Sequence, residues 1–253
     1  MSAILEGRIA VVTGAAQGIG FAIAERFKSE GASLLLADLD GERLESAADR
    51  LATADLGRPL VCIGDLANED VARAMIEAVI ERHGKIDILV NNAGGGIIQP
   101  FADHTPASLR TTVDRNLWTT VWAIYYALPE MRRSRYGRVV SVGADSVRNG
   151  LWNHAGYNAA KGGVHGITTG LAREFAGEGI TFNVVAPCIV NTEAVRAAMV
   201  KSPQAVQKYV DIVPMARPAE LAEVASMVTY LASAEASFVT GQVISVNGGS
   251  TML

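Results

Sequence analysis

Tyr157 and Lys161 stand four residues apart in a stretch whose spacing of apolar residues favours a helix. Residues four apart lie on one face of a helix, so the two side chains point the same way. A phenol with a pKa of about 10 is a weak base at neutral pH, and a nearby ammonium favours its phenolate. The pair is suited to taking the proton of a hydroxyl group while a hydride leaves the carbon that bears this hydroxyl. The alternative is an ordinary surface pair.

A glycine-rich turn lies close to the N-terminus. Residues 13–20 read T-G-A-A-Q-G-I-G, between the apolar run 9–12 and a stretch in which Ile19, Ile23 and Phe27 recur every four residues. This pattern predicts a strand, a tight turn and a helix. Unpaired N–H groups and the positive end of the helix dipole suit a diphosphate, and glycine lets the backbone approach it. A tight turn without a ligand is the alternative.

The next apolar run, 34–37, ends in Asp38. An acid at the tip of this strand can accept both hydroxyls of an adenosine ribose, and it repels a 2′-phosphate. Gln17 stands where a basic residue could hold that phosphate. The charges therefore favour NAD over NADP as the cofactor. The alternative role of Asp38 is a turn residue or a helix N-cap.

The bulk composition excludes several classes of protein. The chain has 253 residues, 49% of them hydrophobic, and a net charge of −4, which suits one large α/β domain without a nucleic-acid surface. The chain has no apolar run of membrane-spanning length, and residues 1–8 do not resemble a signal sequence. We therefore expect a cytoplasmic protein in which Cys62 and Cys188 are reduced thiols. The histidines are scattered, so no metal site is expected; they are His83, His104, His154 and His165.

Apolar runs of strand length alternate with helical patterns along the whole chain, which implies a parallel sheet covered on both faces. The predicted strands are 8–13, 33–38, 59–64, 86–91, 137–142, 180–185 and 242–246. The predicted helices are 18–30, 41–54, 69–83, 106–133, 157–176 and 219–232. The segment 188–217 has three prolines and no strand character, and we expect a helical lid there. A surface insertion without function is the alternative.

Three motifs occur in order: T-G-x-x-x-G-I-G at 13–20, N-N-A-G at 91–94 and Y-x-x-x-K at 157–161. Together they resemble the short-chain dehydrogenase/reductase family. Further matches are Asp65-Leu66, Asn116, Asn183, Ala186-Pro187 and Asn247-Gly248-Gly249. The resemblance covers residues 1–253 and implies a single doubly wound Rossmann domain with strand order 3-2-1-4-5-6-7. It also implies a homotetramer, assembled through helices 106–133 and 157–176 and the C-terminal end.

The resemblance assigns a role to each matching residue. Tyr157 would be the base in oxidation and the acid in reduction, and Lys161 would hold the nicotinamide ribose and tune Tyr157. Asn116 would anchor a water that relays protons, the alternative being a helix-kink residue, and Asn91 would tie adjacent strands together. The implied cofactor contacts are Gly14, Gln17, Gly18, Ile19 and Gly20 at the diphosphate, Asp38 and Leu39 at the adenosine ribose, Asp65 and Leu66 at the adenine, Asn92 and Gly94 near the ribose, and Val190 and Thr192 at the carboxamide.

The pattern fails thirteen residues before the tyrosine. The family places there a serine that hydrogen-bonds the reacting oxygen, but this chain has Ala144, which cannot donate. Losing such a donor typically costs about 2.7–4 kcal/mol of transition-state stabilisation. Ser146 and Asp145, in the same loop, are the two candidates to replace it. Cys188 stands where glycine is common, and we interpret it as a small apolar filler.

Substrate contacts are expected from the loops 95–101 and 145–156 and from the lid, with Arg148, Trp152 and Asn153 as candidates. An arginine can pair with a carboxylate, and a tryptophan can stack on a ring. The loops resemble the branch of the family that oxidises ring cis-dihydrodiols to catechols, including that of p-cumate. The alternatives are a 3-oxoacyl reductase, a general sugar or alcohol dehydrogenase, and a regulator that binds the cofactor without turnover.

Overall fold

The computed structural model describes residues 3–252, and its centre is a parallel sheet in the order β3-β2-β1-β4-β5-β6-β7. The strands are β1 (Ile9–Thr13), β2 (Ser33–Asp38), β3 (Leu60–Ile63), β4 (Ile88–Asn91), β5 (Gly137–Val142), β6 (Ile180–Pro187) and β7 (Val243–Val246). Every residue of β1, β4, β5 and β6 is buried, and β1 and β4 accordingly read as nearly continuous apolar runs. The predicted doubly wound Rossmann fold and its strand order are confirmed.

The helices cover both faces of the sheet. They are α1 (Gly18–Ser29), α2 (Gly41–Arg50), α3 (Glu69–His83), α4 (Pro106–Val113), α5 (Thr119–Ser134), α6 (Ser146–Asn149), α7 (Ala155–Phe175), α8 (Glu193–Lys201), α9 (Pro203–Val210) and α10 (Leu221–Ala232). Alternate residues of β1 point to opposite faces. Ala10 and Val12 join the core under α1 and α10, whereas Ile9 and Val11 join the core under α3 and α5.

Three helices differ from the prediction. The single helix predicted over 106–133 is interrupted by a π-helical turn at Asp114–Trp118, which separates α4 from α5. Helix α2 ends at Arg50 rather than at residue 54. Helix α6 was not predicted, because one turn is too short to show a period. These differences arise where tertiary contacts decide the backbone.

The segment 188–217 contains α8 and α9, as expected for a helical segment. The Thr192 hydroxyl caps α8 by accepting a hydrogen bond from Val195 N at 3.2 Å. Pro203 opens α9, where a missing N–H costs nothing. Within residues 3–252, the structure has no helix with the length and apolarity needed to cross a bilayer. In the same range, no three acidic, His or Cys side chains come together as a potential metal site.

Candidate active site

A cavity of about 910 Å³ lies at the carboxyl ends of the strands. Its walls come from the segments after β1 to β6 and from α7, α8 and α9. In an open parallel sheet this edge is where ligands bind. The predicted cofactor residues that line the cavity are Gly14, Gln17, Ile19, Asp38, Leu39, Asp65, Leu66, Asn92, Gly94, Tyr157, Lys161, Val190 and Thr192. The structure therefore brings together residues that are widely separated in the sequence.

The glycine turn connects β1 to the start of α1. Gly14 has a φ of 63° and lines the cavity, and Asn92 Nδ2 donates to Gly14 O at 3.0 Å. A Cβ on Gly20 would lie 2.0 Å from Gly14 O, so no larger residue fits there. Gly18, with a φ of 59°, shapes the turn as well. Gly18 and Gly20 thus build the turn, and Gln17 and Ile19 at the N-terminus of α1 line the cavity, where free backbone N–H groups can bind an anion.

Asp38 ends β2 on the cavity wall. One carboxylate oxygen accepts from Ala16 N at 3.0 Å and the other from Asp40 N at 3.1 Å, which fixes the side chain. The basic side chain of Arg43 donates to Gln17 Oε1, and its Nε lies 3.5 Å from Asp40 Oδ2. Arg43 was not among the predicted site residues, although its place two residues into α2 puts a cation close to the end of β2. The charge at this end of the cavity is therefore mixed rather than purely acidic.

Tyr157 and Lys161 both line the cavity, and Lys161 Nζ lies 6.0 Å from the centre of the Tyr157 ring. Lys161 Nζ also donates to Val142 O, at the end of β5, at 2.7 Å. Burial raises the pKa of Tyr157 to about 12 and lowers the pKa of Lys161 to about 8. Among the chain's own groups, desolvation thus outweighs the expected lowering of the phenol pKa by the ammonium.

The glycine-rich loop after β4 is packed against this pair. A Cβ on Gly96 would lie 2.5 Å from Tyr157 Cδ2, so the Gly96 backbone lies directly against the phenol ring. A Cβ on Gly94 would lie 2.6 Å from Asn116 Oδ1 and 3.4 Å from Lys161 Nζ. Glycine at both positions allows the loop to approach all three side chains.

Asn116 lies in the π-helical turn and is fully buried. Its Oδ1 accepts from Gly95 N at 3.1 Å, and its Nδ2 donates to Gly95 O at 3.0 Å and to Thr112 O at 2.8 Å. The side chain therefore fastens the loop after β4, and it stands behind the cavity wall. Asn91 Nδ2 donates to Ser141 Oγ at 3.3 Å, which links β4 to β5 as expected.

The loop after β5 holds the position where the family serine is missing. Ala144 and Ser146 both line the cavity. The Ser146 hydroxyl donates to Asn158 Oδ1 at 2.6 Å, on the residue next to Tyr157. Of the two candidate replacements, only Ser146 lines the cavity.

The predicted catalytic role of Asp145 is wrong. Its side chain is fully buried and does not line the cavity. The carboxylate accepts from Ser245 Oγ at 2.9 Å, Asn247 Nδ2 at 3.1 Å and Thr251 Oγ1 at 2.9 Å, and from Ser250 Oγ as well. The turn into α6 directs consecutive side chains to different sides, so Asp145 fastens the C-terminal segment and Ser146 faces the cavity.

The three predicted substrate residues do not line the cavity either. The Arg148 guanidinium donates to Ser245 Oγ at 3.0 Å and to Val243 O at 2.8 Å, so it is bound to β7. Trp152 is 63% exposed, because the turn between α6 and α7 carries it to the surface. Asn153 is also exposed and has a φ of 65°, a conformation that asparagine tolerates in turns.

The side chains that form the other wall were not predicted individually. Leu151, Val195, Ala198, Val206 and Tyr209 line the cavity, and all but Leu151 belong to α8 and α9. Within the predicted lid, Val195 and Ala198, and likewise Val206 and Tyr209, stand three residues apart, and this spacing could have indicated that they share a helix face.

The lid also contacts Tyr157 through His154. The His154 ring packs edge-on against Tyr209 and Tyr157, with both ring-centre distances at 5.9 Å. Cys188 lines the cavity beside this wall, and its thiol donates to Asn247 O at 3.4 Å. Burial is the main cause of the raised pKa of Cys188, which keeps the thiol protonated and agrees with a packing role.

Comparison with known proteins gives consistent results. Residues 14–251 match the family model described as "Enoyl-(Acyl carrier protein) reductase". The chain is 54% identical to 2,3-dihydroxy-2,3-dihydro-p-cumate dehydrogenase of Pseudomonas putida, over 98% of this chain and 96% of that protein. It is 35% identical to 1,6-dihydroxycyclohexa-2,4-diene-1-carboxylate dehydrogenase of Pseudomonas putida, over 98% and 94% of the two chains. The crystal structure of levodione reductase superposes with a TM-score of 0.91 at 31% identity, over 97% and 98%.

Proposed function

Because the chain belongs to the short-chain dehydrogenase/reductase family of oxidoreductases, which use a nicotinamide cofactor, we propose that it oxidises a ring cis-dihydrodiol to a catechol with NAD. Two relatives that match along nearly the whole chain are named as dehydrogenases of cyclic dihydroxy compounds. This proposal includes the substrate class, the cofactor NAD and the site residues.

The observation that carries the proposal is the chemical character of the cavity wall beside Tyr157. The apolar residues Leu151, Val195 and Val206 line this part of the cavity, and so do the hydroxyl-bearing residues Ser146 and Tyr209. A hydrocarbon ring fits the apolar surface, and adjacent hydroxyls on the ring fit the polar groups.

The chemistry removes one hydride and one proton from the diol. A nicotinamide nucleotide, when bound, would supply the hydride acceptor, and its positively charged ring would favour the Tyr157 phenolate. As the phenolate, Tyr157 takes the proton from the hydroxyl whose carbon loses the hydride, and the resulting hydroxyketone becomes a catechol by enolisation. Lys161, held by Val142 O, favours the phenolate through its charge. Asn116 keeps the Gly94–Gly95 backbone against Lys161.

Ser146 takes the place of the missing family serine in this proposal. Ser146 lines the cavity and, among the residues that do so, is the hydroxyl-bearing one nearest in sequence to Ala144. A donor directed at the reacting oxygen stabilises the charge that develops there.

NAD is favoured over NADP by the position of Asp38. Its carboxylate is fixed on the cavity wall by two backbone N–H groups, and a 2′-phosphate would meet this charge directly. Arg43 is the one observation that favours NADP, since it lies close by. It already contacts Gln17 and Asp40, however, and this reduces its availability for a phosphate.

The assembly and location are further parts of the proposal. Trp118 and Tyr125 of the α4–α5 region are 40% and 63% exposed, and a second copy of the chain would cover them in a homotetramer. Light scattering on the purified protein tests this state. Cys62 and Cys188 are free thiols, which suits the reducing cytoplasm.

The deciding experiment measures NADH formation with a panel of cyclic cis-dihydrodiols, with and without ring substituents. We expect turnover with NAD and catechol as the product. A secondary alcohol, a sugar and a 3-oxoacyl thioester with NADPH form the comparison set, and a clear preference for the thioester would replace the proposal with a reductase. Nucleotide binding without turnover of any compound would favour the regulator.

A further inference from the structure

Asn158 is the direct partner of the Ser146 hydroxyl and the sequence neighbour of Tyr157. Ser146 is 5% exposed, and its hydroxyl donates to Asn158 Oδ1 at 2.6 Å. Asn158 itself belongs to the first turn of α7, and its backbone N–H donates to His154 O at 2.6 Å. The backbone of Asn158 is therefore fixed in the same helical turn that carries Tyr157.

This contact decides what the Ser146 hydroxyl can offer a substrate. When the serine proton is directed at Asn158 Oδ1, the oxygen faces the cavity with lone pairs and can only accept a hydrogen bond. When the amide turns over, Nδ2 donates to the serine oxygen and the serine proton is free to donate into the cavity. An amide has one donor end and one acceptor end of nearly equal shape, so it can support both states.

We propose that Asn158 is a positioning residue that sets the direction of the Ser146 hydroxyl. This inference rests on the proposed function. In the acceptor state Ser146 receives a hydrogen bond from a diol hydroxyl, and in the donor state it stabilises the reacting oxygen as the carbonyl forms. The pair Ser146–Asn158 thus performs what a single serine at position 144 performs elsewhere in the family. Asn158 acts through Ser146 and transfers no proton itself.

The test is a double-mutant cycle on the full-length protein with NAD and the best diol of the panel. Ser146→Ala is expected to lower kcat about 10- to 100-fold. This loss is at or below the loss of kcat that follows removal of one oxyanion-hole donor in other enzymes. Asn158→Ala is expected to lower kcat about tenfold with the Kd for NAD unchanged, and the double variant should equal Ser146→Ala alone.

Asn158→Asp separates positioning from packing, because it keeps the shape but only accepts hydrogen bonds while ionised. The aspartate at position 158 holds the Ser146 proton toward itself, so the serine can no longer donate into the cavity. We therefore expect a larger loss of kcat than for Asn158→Ala. This loss should shrink in Asn158→Asp as the pH falls toward the carboxyl pKa. In the Ser146→Ala background the aspartate should add no such pH dependence, and this background controls for the added charge near Tyr157.

Multiplicative losses in the double variant would overturn the inference, since they mean that the two side chains act independently. Asn158→Ala with unchanged kcat would overturn it as well. If wild-type protein turns over no alcohol, the proposed function and this inference both fall. An active wild type with independent losses removes only the role of Asn158.

Discussion

Asn116 binds the backbone of Gly95 at both of its polar groups: Gly95 N–H donates to Oδ1 at 3.1 Å, and Nδ2 donates to Gly95 O at 3.0 Å. The loop that touches Lys161 and Tyr157 is thereby fastened to the π-helical turn between α4 and α5. Asn116 thus influences the site through the loop it holds.

Replacing Asn116 by Ala should destabilise the protein by about 2–3 kcal/mol, because three hydrogen bonds to the backbone of Gly95 and Thr112 are lost. Urea unfolding followed by circular dichroism measures this change. Gln204→Ala, on the exposed surface of α9, is the control, with an expected change within about 0.5 kcal/mol. An Asn116 variant as stable as the control would contradict the role of this side chain.

Replacing Tyr157 by Phe should lower kcat about 10²- to 10⁴-fold, because the proton acceptor is removed while the ring remains. The Kd for NADH, measured by fluorescence, should change little. Tyr230→Phe, on α10, is the matched control and should retain full activity. Activity of Tyr157→Phe close to that of the control would remove the phenol from the mechanism.

Replacing Gly96 by Ala should lower kcat about tenfold or more, because the new Cβ would lie 2.5 Å from Tyr157 Cδ2 and must displace the ring. Gly177→Ala is the control, since a Cβ there would have no neighbour within 4 Å. Steady-state kinetics and a thermal melt of both variants separate a displaced phenol from a general loss of stability. Unchanged kcat in Gly96→Ala would mean that the ring position tolerates this shift.

Replacing Asp38 by Ala should raise kcat/KM for NADP relative to NAD by about tenfold, equivalent to about 1.4 kcal/mol, because the repelling carboxylate is gone. Arg43 remains nearby to attract the added phosphate. Asp55→Ala is the control, since Asp55 is exposed and does not line the cavity. A wild-type preference for NADP would contradict the assignment of the cofactor.

His165 should make the protein less stable in mild acid. Burial, and next the charges of Arg148 and Lys161, lower the pKa of His165 to about 4, from an ordinary value of 6.5. The unfolded chain therefore binds the proton more strongly, so stability is complete above pH 6.5 and falls as the pH drops toward 4. Because His165 is only partly buried and water screens the shift, the loss at pH 5 should be about 1 kcal/mol.

Urea midpoints at pH 7.5 and pH 5 measure this loss, and His165→Gln should show a smaller one. An equal loss in both proteins would assign the acid sensitivity to other groups.

The fold could be predicted because the strands are buried on both faces and therefore appear as apolar runs, as β1 and β2 do. Many of the residues that line the cavity could also be predicted, since they follow the strands directly. The direction of side chains in a short loop could not, and this is why Asp145 and Arg148 were misassigned. Backbone dihedral angles there depend on distant partners such as Ser245. The pKa of Tyr157 depends on burial, which the sequence does not reveal.

The carboxylate of Asp145 joins the last strand and its following residues to the loop that carries Ser146. An affinity tag fused behind Leu253, or a stop codon placed before Ser250, would remove or strain donors to a buried negative charge. Recombinant protein altered in this way would lose turnover through a damaged scaffold, and an inactive preparation would then be mistaken for a wrong substrate. An affinity tag for this enzyme should therefore be fused in front of Met1.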